Sequence, residues 1–263
     1  MQEFSDMKLT FYKYQGTGND FVILDNRNGD IRLTTSHVNF LCDRKFGIGA
    51  DGLMLLNTKE GYDFEMTYYN ADGRESSMCG NGGRCLTQFA YDMGIQKDKY
   101  FFIAVDGEHE AFFEKNGWVD LKMKNVNEIL TYQGDKILNT GSPHYIKQTD
   151  HVKNLDVFAA GRTIRYGTDF AEDGINVNFV EPDATGIIVR TYERGVENET
   201  LSCGTGVTAS ALVFSSHEKH QRINITTLGG NLAVEFDKLS DQSFSNIYLC
   251  GPATFVFSGE IEV

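Results

Sequence analysis

Short runs of β-branched, aromatic and alternating apolar residues recur along the chain, with Gly, Asn or Asp between most of them. Residues 101–105, 111–114, 118–123, 186–192, 222–226, 232–236, 246–249 and 254–257 read as strands. Two segments break the pattern. Residues 81–93 and 205–218 have helix-forming, largely apolar content, and each follows a Cys-Gly pair. The second, TGVTASALVFSSHE, is apolar or small nearly all round, so it belongs inside a fold rather than on a surface. Many strands with one buried helix per half predict an α+β protein: two pseudo-symmetric domains, each a sheet wrapped around a central helix.

An internal repeat supports the two halves. Sliding the chain by 124 residues puts Thr67-Tyr68 on Thr191-Tyr192, Glu75 on Glu199, Ser76 on Thr200 and Cys79-Gly80-x-Gly82 on Cys203-Gly204-x-Gly206. Without a gap this gives six identities in the 19 positions 67–85. Both copies place a strand, a turn, a Cys and a buried helix in the same order. The offset is nearly half the chain, which implies two similar domains that each present one cysteine. The boundary is expected within 124–132, after the strand at 118–123.

Composition narrows the function classes. With 263 residues, 41% hydrophobic and 23% charged, the chain can bury a core without staples, which excludes disorder and disulfide mini-scaffolds. The count of 24 Lys plus Arg against 37 Asp plus Glu gives a net charge of −13, unsuited to nucleic acid or anionic membranes. The start, MQEFSDMKLT, is acidic and lacks the apolar core of an export signal. No apolar stretch approaches the roughly 18 residues of a membrane span. Five cysteines at scattered spacing then read as reduced thiols of a cytoplasmic protein.

The candidate chemistry lies in Cys79 and Cys203, each at a glycine-rich turn that opens a helix. The first N–H groups of a helix have no internal partner and carry the positive end of its dipole. A thiolate is stabilised there, and a carboxylate can bind the same donors. If the two domains face each other, a substrate carboxylate between the helix ends leaves its attached carbon between two sulfurs. One thiolate can then remove a proton as general base while the opposite thiol returns one to the other face, inverting the centre. Helix-end donors stabilise the growing carbanion charge. Cys42, Cys85 and Cys250 lie in a helix-like run, mid-helix and in a strand, and read as small buried hydrophobes. The spacing Cys79-x5-Cys85 is not that of a zinc site, and no metal is expected. Gly16-Thr17-Gly18-Asn19-Asp20-Phe21 has Phe where a dinucleotide fingerprint needs its third Gly, and no Walker sequence exists.

At this point the motifs GTGNDF (16–21), FGIGADG (46–52), NADGRESSMCGNGGRC (70–85), GSPH (141–144), GINVNFVE (174–181) and YERGVENETLSCGTG (192–206) resemble the diaminopimelate epimerase family, in order and over nearly the whole chain. The resemblance implies a cofactor-independent enzyme that interconverts LL- and meso-2,6-diaminoheptanedioate in lysine biosynthesis. It implies domains of 1–124 and 125–251, each a mixed sheet curled around a central helix, with 252–263 returning to the first, and a homodimer.

By the same resemblance Cys79 and Cys203 match the catalytic thiols, and Gly80, Asn81, Gly204 and Thr205 match positions that hold the reacting carboxylate. Asn19, Asn70, Asn176, Glu193 and Arg194 match the substrate-binding polar set, with Glu193 facing an ammonium group or tuning a thiol. His144 matches a residue that adjusts thiol protonation. Arg194 suits a distal carboxylate as a bidentate fork. Glu193 and Arg194 are adjacent, so they share a site only where the strand ends or bulges. Glu75 and Glu199 read as braces of the loops before each Cys. Two positions depart from the family: Ser142 stands where many members have Asn, and Gly52 where some have Gln.

Rival readings divide on single residues. A proline or hydroxyproline racemase of the same superfamily has His after the first Cys-Gly, where Asn81 stands, and has no use for Arg194. A phenazine-type isomerase lacks the paired thiols. A non-catalytic amino-acid-binding module needs Arg194 but not two cysteines, and a redox sensor needs a Cys79–Cys203 disulfide for activity.

Overall fold

A computed structural model describes residues 8–263. The first seven residues, which include most of the stretch read above for an export signal, lie outside the described residues. The chain divides into two compact units: one runs up to Leu121 and takes in Pro252–Val263, the other is Lys122–Gly251.

In the first unit the elements follow as β1 (Lys8–Gly16), β2 (Asn19–Asp25), α1 (Thr35–Cys42), β3 (Gly52–Asn57), β4 (Phe64–Asn70), β5 (Glu75–Ser76), α2 (Gly80–Asp92), β6 (Lys99–Ala104), β7 (Gly107–Phe113) and β8 (Val119–Lys122). The second unit has β9 (Leu130–Tyr132), β10 (Asp135–Asn139), β11 (Pro143–Gln148), α3 (Val157–Arg165), β12 (Asn176–Asp183), β13 (Gly186–Glu193), β14 (Asn198–Thr200), α4 (Gly204–Val213), β15 (His220–Thr227), β16 (Gly230–Lys238) and β17 (Phe244–Gly251). The last strand, β18 (Thr254–Glu262), pairs antiparallel with β1 from Lys8↔Glu262 to Gln15↔Thr254.

Each unit is a mixed sheet built on one plan. In the first, β2 and β3 are parallel, β3 and β4 antiparallel, β4 and β6 parallel, and β6, β7 and β8 antiparallel. In the second, β11 and β12, β12 and β13, β13 and β15, then β15, β16 and β17 repeat that series. The short strands obey it too, since β5 folds back on β4 and β14 on β13 before the helix begins. The helices α2 and α4 start at Gly80 and Gly204, 124 residues apart, as the sequence offset requires.

Both helices are central. The first two turns of α2 are buried all round, and α4 is buried along nearly its whole length. Small residues permit this. A Cβ on Gly83 would press on Leu121 and Met78 at 3.0 Å. The opposite face of the first sheet is covered by α1, where Val38 and Leu41 pack on Leu9, Val22, Leu24, Leu53 and Leu55. In the second unit α3 covers the equivalent face, with Val157 beside Val177, Phe179 and Tyr192.

Several expectations are corrected here. The second helix was expected over 205–218 but ends at Val213. Beyond it the side-chain oxygen of Gln221 accepts from the Ser216 N–H at 2.8 Å, and such local polar bonds compete with helix continuation. The one buried helix expected in each half is present, and α1 and α3 are added on the outer faces. The strands β2 and β3 escaped the period-two reading because they are buried on both sides. Their runs FVIL and LMLL are continuously apolar and do not alternate.

Candidate active site

The GTG turn of the first motif is a two-residue hairpin. Thr17 and Gly18 both adopt positive φ (51° and 83°), which matches the twist of β1 and β2. Asn19 therefore opens β2 in a fixed pose. Its Nδ2 donates to Asp51 Oδ2 at 2.7 Å, which leaves Oδ1 to accept from the Cys79 thiol at 3.6 Å and from Asn81 Nδ2 at 3.4 Å. Asp51 is itself held by Arg44, whose guanidinium also grips Asp20 at 2.6 Å. Burial works against the Asp20 carboxylate, but hydrogen bonds from Arg44 and Lys13 prevail and hold it down at about 2. This ionic bracket fixes Asn19, and through it the surroundings of the Cys79 sulfur.

Cys79 is the extended residue immediately before α2, and it stays partly exposed. Asn81, one residue into the helix, is buried with its side-chain oxygen taking a bond from Arg84 at 3.0 Å. The Arg84 guanidinium is wholly buried and also reaches the Gly80 carbonyl and the Thr17 hydroxyl. Cys85, a turn later, is sealed, and burial pushes its thiol up to about 12. Burial does the same to Cys42, also to about 12. Both behave as structural residues, in contrast with Cys79.

In the second unit Cys203 holds the corresponding place before α4 and keeps 7% of its surface. Its sulfur lies 3.5 Å from the Thr205 hydroxyl. That hydroxyl lies 2.8 Å from Nε2 of His144, whose Nδ1 is 3.0 Å from the side-chain nitrogen of Asn178. His144 is completely buried. Burial, aided by the Arg194 cation, lowers its pKa from 6.5 to about 3, so the ring is neutral at ordinary pH. Gly206 is required for this arrangement. A Cβ there would fall 2.3 Å from Asn178 Oδ1 and 3.3 Å from the His144 ring.

A separate group gathers Asn176, Ser142 and Arg194. Asn176 donates to Ser142 Oγ at 2.8 Å and to the Pro143 carbonyl at 3.1 Å, and its Oδ1 accepts from the Arg194 backbone N–H at 2.8 Å. The Arg194 guanidinium donates to the Asp173 carbonyl at 2.8 Å. Gly174 adopts φ 72°, which suits glycine, and a Cβ there would crowd the side chains of Arg165 and Arg194 at 2.6 and 2.7 Å. β13 ends at Glu193, so the strand rule that would part Glu193 from Arg194 lapses there. Glu193 Oε2 accepts from the Thr200 hydroxyl at 3.0 Å.

Of the residues picked out by sequence, the first unit brings Cys79, Gly80, Asn81 and Asn19 together. Asn70 is exposed at the end of β4, where it pairs in register with Gly52. Gly52 itself could not carry a side chain, since a Cβ would lie 2.7 Å from the Tyr69 carbonyl oxygen. The second unit brings Cys203, Gly204, Thr205 and His144 together, with His144 bonded to Thr205. Glu199 braces its loop through a bidentate pair with Arg190 at 2.6 and 2.7 Å. Sequence reasoning missed Asn178, Arg84 and Asp51. Asn178 left a signal: in the Asn176-Val177-Asn178 run two asparagines share one face of a buried strand, where apolar residues are the rule.

Among the described residues no helix is long and apolar enough to cross a membrane.

Comparison with known proteins agrees with this layout. The sequence profile of the family described as diaminopimelate epimerase matches residues 11–128 and 137–256. Curated proteins named diaminopimelate epimerase include one from Flavobacterium psychrophilum, 49% identical over 259 residues, covering 97% of this chain and 100% of the relative. Another, from Chlorobaculum tepidum, is 42% identical over 94% of this chain and 98% of the relative. Among solved structures, a phenazine biosynthesis protein of the PhzF family from Bacillus anthracis superposes with a TM-score of 0.71 at 14% identity, over 98% of this chain and 100% of that one. A hydroxyproline epimerase from Agrobacterium vitis, with bound trans-4-hydroxy-L-proline, gives 0.68 at 12% identity, over 97% and 93%. At such identities the structural likeness speaks for the fold alone.

Proposed function

The chain belongs to the diaminopimelate epimerase family, and from that membership we propose how its own residues invert a carbon. It is an isomerase of the kind that does not need pyridoxal phosphate, and it interconverts LL- and meso-2,6-diaminoheptanedioate in lysine biosynthesis. The observation that carries the mechanism is the matched position of Cys79 and Cys203, each the last extended residue before the buried helix of its unit.

One sulfur, as thiolate, takes the α-proton, and the other, as thiol, delivers a proton to the opposite face. The electron pair left on carbon spreads into the adjoining carboxylate. The opening N–H groups of α2 and α4, at Gly80, Asn81, Gly204 and Thr205, hold that carboxylate and stabilise its added charge. After one turnover the two sulfurs have exchanged protonation states, and either the reverse reaction or proton exchange with water restores them. Arg194, held by the Asp173 carbonyl, takes the distal carboxylate, and Glu193 faces an ammonium group. Asn19, Asn70 and Asn176 complete the polar recognition of a substrate with two amino-acid heads. In this reading His144 acts through Thr205 and does not itself carry the proton.

Two features favour this reading over racemisation of a cyclic monocarboxylate. Asn81 is buried and bonded to Arg84 and Asn19, so it serves as scaffold where those enzymes place a histidine. The Arg194 guanidinium is also held in place by the Asp173 carbonyl, a cation for which a substrate with one carboxylate has no use.

The test is proton NMR in D₂O with LL-diaminoheptanedioate. Solvent deuterium is expected at one α-carbon as the meso isomer forms. Cys79→Ser and Cys203→Ser are each expected to cost at least the 10²–10⁴-fold typical of a lost general acid or base, about 3–5 kcal/mol in the barrier. If Cys203→Ser epimerises at the parental rate, the two-thiol mechanism is wrong.

We also propose that the protein works as a homodimer in the cytoplasm. In support, β18 carries the consecutive exposed residues Phe255, Val256 and Phe257, an apolar run that a second copy would cover.

A further inference from the structure

Asn178 is a buried polar residue that the fold does not demand. The 124-residue repeat places it opposite Met54. Both side chains are fully buried, and each packs against the matching glycine of its central helix: Met54 on Gly82, with Sδ 3.2 Å from the Cβ site, and Asn178 on Gly206. One unit thus fills the position with a thioether and the other with an amide. A buried amide costs stability unless all its hydrogen bonds are made, so its presence calls for a local reason.

The hydrogen bonds supply one. Asn178 Nδ2 donates to the Tyr145 carbonyl at 3.3 Å, and Oδ1 accepts from the Thr191 hydroxyl at 2.9 Å. A carbonyl can only accept, so the amide orientation is fixed, and the second Nδ2 hydrogen points at His144 Nδ1. Nδ1 must then be the bare nitrogen, and the neutral ring carries its proton on Nε2. That proton is given to Thr205 Oγ1. The Thr205 hydroxyl, having accepted on its oxygen, directs its own single hydrogen at Cys203 Sγ.

We propose that Asn178 is a positioning residue for the reaction: by fixing the His144 tautomer it turns the Asn178–His144–Thr205–Cys203 chain into a one-way series of donors that stabilises Cys203 as the thiolate. The other sulfur is treated differently, for Cys79 faces the accepting oxygen of Asn19, which favours its protonated form. The resting enzyme therefore holds its base at Cys203 and its acid at Cys79. The charged groups about the chain do not reverse this. Burial, with the Arg194 cation adding to it, keeps the ring from protonating, and the Glu193 carboxylate is engaged by Thr200. The inference rests on the two-thiol reading of the site.

Two measurements test it. Nitrogen-15 NMR of the unmodified protein is expected to show His144 protonated at Nε2 and bare at Nδ1; the opposite tautomer overturns the proposal without any variant. The second follows the pH dependence of Cys203 alkylation by iodoacetamide in a Cys79→Ser background, where sealed Cys42, Cys85 and Cys250 react slowly. Thr205→Val and Asn178→Leu are each expected to raise the midpoint by about one pH unit, the scale of one hydrogen bond lost from a charged group. Thr205→Ser is expected to keep the parental midpoint. The double variant is expected to shift no further than Thr205→Val alone, because both act on one chain. An unmoved midpoint in Asn178→Leu, or shifts that simply add, overturns the relay. Parental epimerisation by Cys203→Ser would instead sink the two-thiol mechanism, so the two failures are told apart.

Discussion

At the scale of single residues, the clearest consequence concerns His144. Its pKa of about 3 in the folded protein lies far below the 6.5 of a free imidazole. Between those values the unfolded chain binds a proton that the folded chain refuses. Stability should therefore fall as pH drops from about 6.5 towards 3, and be fully regained above 6.5. Asp20 adds a second loss lower down. Its depressed carboxyl contributes above about 4, and that contribution disappears as pH falls to about 2. Urea titrations across this range are expected to show His144→Gln losing less stability than the parent between pH 6.5 and 3. Equal slopes would mean that the ring is not held neutral. The sequence did not announce this role. GSPH pointed to a histidine near a thiol, but only the fold reveals that the intervening atom is a threonine hydroxyl.

At the scale of elements, what matters is how closely each central helix approaches its sheet. Gly82 and Gly206 are repeat-equivalent, yet the spaces beside them differ. A methyl on Gly82 would meet the flexible end of Met54 at 3.2 Å, whereas one on Gly206 would strike Asn178 Oδ1 at 2.3 Å. Gly206→Ala is expected to cost about 1–3 kcal/mol, as overpacked cores do, and to depress kcat with it, while Gly82→Ala costs less. Denaturation midpoints and kinetics of both variants check this, and equal penalties would count against the seating described. The glycine spacing was legible in the sequence as a pair of Cys-Gly-x-Gly turns, as was the helix after each. Strands with one wet face, such as β7 and β8, were legible from alternation. Strands with two dry faces were not, nor was α3, whose Gly161 sits against the Tyr192 ring carbons and can be read only once those partners are known.

At the scale of the whole molecule, the repeated plan fixes the division into units, and the exposed run on β18 bears on assembly. Sedimentation of the parent is expected to give twice the monomer mass, and Val256→Glu, at 51% exposure, to give a monomer. A parent that sediments as a single chain refutes the dimer. The net charge of −13 argues against polyanionic partners, and the family match supports a small-molecule substrate. The repeat, modest as a count of identities, proved to run much further in three dimensions. Phe21 answers to His144 and Met54 to Asn178, each pair lying beside the matching glycines Gly82 and Gly206. A chain laid out in this way holds an internal reference for every polar choice it makes. Each half records what the scaffold tolerates when relieved of the other half's task, and exchanging such counterparts one at a time would separate the architecture inherited by both halves from the specialisation acquired by either.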